Sequence, residues 1–156
     1  MRFYTHILFS ILVGLLIIKN NVIVHEQFNE VVFLIMIILA GTLPDLDEPH
    51  SKIGKKVPLI SWPAKLLLRH RGIIHSLWIP LVSYLIISPF SSIIATGISI
   101  GYLSHLVLDA LTPAGITPFW PIPWKIRGPI KTGALVEHIL ALTLLMIDMF
   151  LILNSI

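Results

Sequence analysis

The sequence predicts an all-α fold, namely a multi-pass bundle of about five short transmembrane helices joined by two long connections on the cytoplasmic side. Apolar residues make up 56% of the 156 residues and charged residues only 12%, whereas a soluble domain usually carries about 25% charge. The mean hydropathy is +0.91. The apolar residues are concentrated in five segments, so we treat residues 1–156 as a single membrane-embedded domain.

Each apolar segment is close to the roughly 17–25 residues that a spanning helix requires. We place the five helices at residues 3–18, 28–43, 72–87, 92–111 and 134–153. The first three are short and span only if flanking polar residues reach the interface. Four spans with one re-entrant segment are the alternative. The first segment lacks an evident cleavage site, so we expect a retained helix and not a signal peptide.

The distribution of Lys and Arg predicts the orientation of the helices. Every one of the 11 basic residues except Lys19 falls in the N-terminus or in the connections 44–71 and 112–133. Because cytoplasmic loops carry an excess of Lys and Arg, we expect the N-terminus and both connections in the cytoplasm of an inner-membrane protein. We interpret the formal net charge of +3 in the same way and expect no nucleic-acid partner. The oligomeric state is left open.

Both long connections are expected to contact the membrane surface. Residues 51–68 alternate basic and apolar side chains and contain Trp62, a pattern typical of an amphipathic stretch in the interface. Residues 112–129 are rich in Pro, Gly and Trp. Since Trp favours the headgroup level, this connection is predicted to pack back on the bilayer.

Histidines and carboxylates gather at the cytoplasmic ends of the predicted helices, which indicates a metal site. The chain has no cysteine, so ligands must be nitrogen or oxygen atoms. Such ligands favour zinc, with manganese or iron as alternatives. His105 and Asp109 are four apart on the fourth helix and share one face. In a soluble helix they would more often be a surface pair, but an ionisable residue inside a membrane helix indicates function.

Two further motifs add candidate ligands. Asp45 and Asp47 follow the second helix, where two neighbouring carboxylates repel unless a cation neutralises them; a solvated turn is the alternative. His70 and His75 flank Gly72, which allows the chain to turn both rings to one centre. Arg71 has the planar guanidinium that suits phosphate, although basic residues beside a helix also follow from orientation alone.

His6 and Glu137 begin the first and fifth helices and complete the candidate set. For Glu137 the alternative is a capping role, because carboxylates are favourable at helix N-termini. Four ligands complete a structural zinc site, and three plus water a catalytic one, so this set exceeds the needs of one zinc. It suits one ion with orienting neighbours or two ions. The predicted metal ligands are His6, Asp45, Asp47, His70, His75, His105, Asp109 and Glu137.

The motifs THILFS, LPDLDEPHSKIGKK, HRGIIHS and GYLSHLVLDALTPAGITPFWP, together with a Glu after the last connection, resemble a family of membrane-bound metal-dependent hydrolases. These are the YdjM-like, LexA-regulated inner-membrane proteins. The resemblance covers nearly the whole chain and implies the same eight ligands. It also implies that Thr112 and Gly115 shape the loop over the site. Ile74 departs from the family pattern, which often has Thr at this position.

The predicted function is a metal-dependent hydrolase that cleaves a phosphoester of a lipid or lipid-linked substrate at the cytoplasmic membrane face. Metal-activated water would attack phosphorus, Asp45 or Asp109 would accept its proton, and Arg71 would hold phosphate oxygens. Two alternatives come from other classes: a metal transporter or carrier, and a non-catalytic membrane protein with a structural metal site.

Overall fold

The computed structural model describes residues 1–20, 27–47 and 72–154. This part of the chain contains no β-strand, and a single isolated antiparallel bridge joins Ile116 to Ile126. The predicted all-α class is therefore confirmed. The α-helices are α1 (Phe3–Lys19), α2 (Gln27–Ala40), α3 (Trp78–Ile87), α4 (Ser92–Ala110) and α5 (Leu135–Leu153), and 3-10 helices form at Leu43–Asp47 and Ile73–His75.

The third predicted helix is the element that differs most from expectation. The sequence predicts one helix over residues 72–87, whereas the structure has a 3-10 helix at Ile73–His75 and begins α3 only at Trp78. Pro80 lies in the first turn of α3, where its missing N–H needs no partner within the helix. The prediction of one continuous helix is wrong here, and the ten residues of α3 extend only about 15 Å.

Two helices in the described ranges, α4 and α5, are long and apolar enough to cross a membrane. The helices α1 and α3 are apolar but shorter. The outer face of α5 exposes large apolar side chains, including Leu142, Met146 and Phe150. Such a face suits contact with lipid.

Helix α4 lies at the centre of the packing, against α1, α2 and α3, and α5 packs on α1. Gly97 and Gly101 are one turn apart on α4 and face α2. A Cβ atom at Gly101 would lie 2.3 Å from the backbone oxygen of Ile37, so the two backbones touch. Small residues allow this close approach between membrane helices. The role of this glycine pair was not predicted from the sequence.

A buried hydroxyl pair sets the register of α1 against α4. The Oγ atoms of Ser10 and Ser104 are hydrogen-bonded at 2.9 Å. His6 lies one helical turn before Ser10, and His105 directly follows Ser104. The same packing therefore brings the two histidines to one end of the helices.

Candidate metal centre

His105 and Asp109 form the base of the site on α4. They are 0% and 2% exposed, and their spacing of four residues places both on one face. The Nδ1 atom of His105 lies 2.8 Å from the carbonyl oxygen of Gly41. Because a carbonyl can only accept a hydrogen bond, Nδ1 carries the ring proton and Nε2 presents its lone pair. Among the described residues Nε2 has no hydrogen-bond partner, as expected of a metal-ligand atom.

Gly41 reaches His105 because it has no side chain. It follows the last residue of α2, and a Cβ atom there would lie 2.0 Å from Ser10 Oγ. Any other residue would push the end of α2 away from α1 and withdraw the carbonyl from His105. This role of Gly41 was not predicted from the sequence. The available signal was a glycine at the end of the second apolar run, where helix termini commonly place one.

His6 places a second imidazole ring against the first. Its ring stacks on that of His105, with centroids 3.9 Å apart and planes inclined by 13°. His6 Nε2 lies 3.5 Å from Asp109 Oδ1. Within the described ranges neither ring nitrogen of His6 has a hydrogen-bond partner. Buried polar atoms are normally paired, so this ring is suited to a ligand.

His75 approaches the same carboxylate from the 3-10 helix before α3. Its Nε2 atom lies 3.4 Å from Asp109 Oδ2. The 3-10 helix is held by Tyr102, whose hydroxyl donates to the carbonyl of Ile74 at 2.7 Å. The side chain of Ile74 packs in an apolar cluster with Tyr102 and Leu106. The residue that departs from the family pattern thus contributes to packing.

Asp45 lies at the edge of the site in the first 3-10 helix. Its Oδ1 atom is 3.9 Å from His105 Nε2, and its side chain is 22% exposed. Burial raises the pKa of the Asp45 carboxyl, since desolvation disfavours the charged form. Asp47 belongs to the same 3-10 helix, but its side chain lies outside the described part of the structure, as do His70 and Arg71.

We call the three residues His6, His105 and Asp109 the His–Asp centre. Their ligand atoms lie within 4.8 Å of one another and could hold a metal ion. Bonds of about 2.0–2.2 Å to a tetrahedral ion separate neighbouring ligands by roughly 3.3 Å. The contacts of Asp109 with these two histidines, 3.5 Å and 3.7 Å, are close to that value. The α-amino group of Met1 donates to Asp109 Oδ1 at 2.8 Å, so this carboxylate already faces positive charge.

Glu137 is fully buried but is not one of the three residues of the His–Asp centre. Its Oε1 atom accepts hydrogen bonds from the backbone N–H of Arg2 at 2.5 Å and from Thr5 Oγ1 at 3.2 Å. Its Oε2 atom accepts from the backbone N–H of Gly133. These contacts cap the first turn of α1, which has no side-chain cap of its own. Ligation by Glu137 therefore stays a prediction.

The structure thus brings together residues from distant parts of the sequence. Three predicted ligands, His6, His75 and His105, each approach a fourth, Asp109, and Asp45 adjoins His105. Thr112 also contributes, because its hydroxyl donates to the Asp109 carbonyl at 2.8 Å and accepts from the Gly115 N–H at 3.3 Å.

The fold and the site define a helical protein that has span-length apolar helices and a candidate metal centre at one end of its bundle. Residues 1–155 match the family described as YdjM inner membrane protein, and the chain belongs to that family. Family membership supports a location in a membrane. It assigns neither a reaction nor a metal.

Curated relatives in two bacterial groups are similar to part of the chain. Inner membrane protein YdjM of Escherichia coli (strain K12) is 39% identical over 100 residues, which are 60% of this chain and 51% of that protein. Uncharacterized protein YvsG of Bacillus subtilis (strain 168) is 35% identical over 105 residues, which are 65% of this chain and 66% of that protein. The chain thus spans about half the length of YdjM. No solved structure matches the chain.

Proposed function

We propose that the protein is a multi-pass inner-membrane hydrolase that uses one or two divalent ions to cleave a phosphoester of a lipid or lipid-linked substrate. The observation that supports this most directly is the His–Asp centre, in which two stacked imidazoles and a carboxylate are buried. Both rings have nitrogens that find no hydrogen-bond partner in the described part of the chain. Zinc fits this donor set, and manganese or iron are alternatives. The cytoplasmic orientation follows from the distribution of basic residues.

The residues divide into those that hold an ion and those that act beside it. His6, His105 and Asp109 would hold the ion, and the Gly41 carbonyl keeps the His105 ring in the ligating tautomer. A bound divalent ion would supply Lewis-acid chemistry, polarising a phosphoryl oxygen and acidifying water. We assign proton acceptance to Asp45, because it is partly exposed and adjoins the centre. Asp109 suits that role less, since both of its oxygens contact other groups.

A lipid substrate agrees with the surroundings of the centre. Leu43 precedes Asp45 by two residues, and Leu111 follows Asp109 by two; their side chains are 42% and 40% exposed. An amphiphile could place its phosphate at the centre while its apolar part contacts these leucines. Phosphate binding by Arg71 remains part of the proposal as a sequence prediction.

The test is metal analysis of the detergent-purified protein by mass spectrometry, followed by a screen of phospholipids and lipid phosphates. We expect about one or two ions per chain in the wild type, a loss of at least tenfold in bound metal in His105→Ala, and metal-dependent phosphoester cleavage in the wild type but not in His105→Ala. His138→Ala is the matched control, because His138 lies at the same end of the bundle but is exposed and contacts Arg2.

Other results would indicate a different class of protein or refute the metal assignment. Metal that is retained while no phosphoester is cleaved would favour a structural site. Metal flux through proteoliposomes would favour a transporter. A wild type that contains no metal after zinc or manganese has been supplied would refute the central assignment.

A further inference from the structure

The connection between α4 and α5 contains an ordered loop at residues 117–127. Ile116 and Ile126 exchange two backbone hydrogen bonds of 3.0 Å at its base. The carbonyl of Pro118 accepts from the Leu77 N–H at 2.9 Å, and the Trp120 carbonyl accepts from Trp78 Nε1 at 2.8 Å. These bonds attach the 117–127 loop to the beginning of α3 and give its tip a defined shape.

The tip of this ordered loop exposes large apolar side chains. Phe119, Ile122 and Trp124 are 37%, 60% and 57% exposed, and the rings of Phe119 and Trp124 stack with centroids 5.6 Å apart. A clustered apolar surface of this kind marks an interaction site. Tryptophan in particular favours the boundary between headgroups and acyl chains.

The charged residues of the connection that carries the tip are all basic. Residues 110–136 contain three basic residues and neither Asp nor Glu. Lys125, Arg127 and Lys131 are all exposed. Basic side chains beside apolar ones suit a membrane surface that carries anionic lipid, whereas a protein partner would need a complementary acidic surface.

The base of the loop is connected to the turn that follows Asp109. The N–H of Thr112 donates to the Asp109 carbonyl at 3.1 Å, and the Thr112 carbonyl accepts from the Gly128 N–H at 3.0 Å. The base of the loop and the His–Asp centre are therefore connected through a short series of backbone hydrogen bonds.

We propose that the 117–127 loop is an interfacial anchor that binds anionic phospholipid. Phe119, Ile122 and Trp124 insert at the level of the upper acyl chains, and Lys125 and Arg127 contact lipid phosphates. The anchor holds the His–Asp centre at headgroup depth. It does not depend on metal binding or on hydrolysis, so it can be tested whether or not the proposed function holds.

Fluorescence quenching by brominated lipid tests the insertion. The full chain is reconstituted in vesicles of phosphatidylcholine and phosphatidylglycerol that contain lipid brominated either at carbons 6 and 7 or at carbons 11 and 12. The emission of Trp124 is obtained as the difference between wild type and Trp124→Phe, with circular dichroism to verify folding. We expect at least twofold quenching by the shallow bromines and less by the deep ones. Emission that neither brominated lipid quenches would overturn the proposal. That result is expected if water, a second copy of the chain or another protein covers the loop instead of lipid.

Lipid retention tests the charge assignment with a matched pair of variants. Lys125→Glu changes the loop, and Lys19→Glu makes the same substitution at the opposite end of the bundle. Phosphatidylglycerol that remains bound after detergent washing is counted by mass spectrometry. We expect Lys125→Glu to lower this count at least twofold relative to Lys19→Glu. Equal counts in the two variants would overturn the anionic-lipid assignment.

Discussion

Glu137→Gln separates two roles for a carboxylate, the capping of α1 and the ligation of metal. In the structure both oxygens of Glu137 accept hydrogen bonds, from Arg2 and Thr5 on one side and from Gly133 on the other. An amide keeps one acceptor oxygen but presents an N–H₂ group in place of the other. With the amide oxygen in the place of Oε1, the bonds from Arg2 and Thr5 are kept. The bond from Gly133 is then lost, and its backbone N–H faces another donor.

The expected cost follows from that single lost bond. A hydrogen bond to a charged group contributes about 1.5–3 kcal/mol, so we expect a destabilisation of about 2 kcal/mol. For a chain of this length this lowers the melting temperature by roughly 4–8 °C. Glu137→Ala loses all three acceptor contacts and should be destabilised more. Because the cap lies one turn before His6, backbone amides of residues 2–6 should exchange faster with deuterium in both variants.

The assay combines thermal unfolding, hydrogen exchange of α1 and the spectrum of bound Co²⁺. We expect Glu137→Gln to bind Co²⁺ more weakly with an unchanged ligand-field spectrum, because the ligands themselves are intact. Glu30→Gln is the control, as it makes the same chemical change at the other end of the bundle. An altered spectrum combined with unchanged exchange in residues 2–6 would show that Glu137 is a ligand and refute the capping role.

Three further substitutions test the packing and the loop, each by thermal unfolding. Gly101→Ala should destabilise the protein by about 3 kcal/mol, because its Cβ atom would meet the Ile37 backbone oxygen at 2.3 Å. Asp148→Leu should stabilise it by about 1–3 kcal/mol, since this carboxylate is 3% exposed and has no hydrogen-bond partner in the described ranges. Thr112→Val should cost about 1–2 kcal/mol and increase exchange at Gly115, whose N–H loses its acceptor.

Each of these predictions has a result that contradicts it. Thr96→Ala is the control for the α4 substitution because Thr96 is only partly buried and its hydroxyl donates to Ser92 within α4. Equal melting temperatures for the two variants would show that α2 and α4 are not in backbone contact. A lower melting temperature for Asp148→Leu would show that the carboxylate has a stabilising partner. Unchanged exchange at Gly115 in Thr112→Val would mean that the hydroxyl does not hold the loop.

The sequence alone predicted most of the helices, because each depends on local properties. Long apolar runs place α1, α2, α4 and α5 to within a few residues, and prolines mark the end of the runs that form α2 and α4. The break before α3 was not predicted, because residues 72–77 are apolar enough to resemble a helix. Their actual conformation depends on tertiary bonds from Tyr102 and Pro118, which a local pattern does not show.

The candidate site was likewise predictable from the sequence in some features and not in others. The absence of cysteine limited the ligands to nitrogen and oxygen, and the spacing of His105 and Asp109 required a shared face once α4 formed. Only the tertiary structure determined that His6 stacks on His105, that the Gly41 carbonyl selects a tautomer, and that Glu137 caps a helix whose first residues are more than 130 positions away. These contacts depend on small residues that let the helix backbones approach closely. Packing between helices determines which residue lies opposite each small residue, and neighbours in the sequence do not.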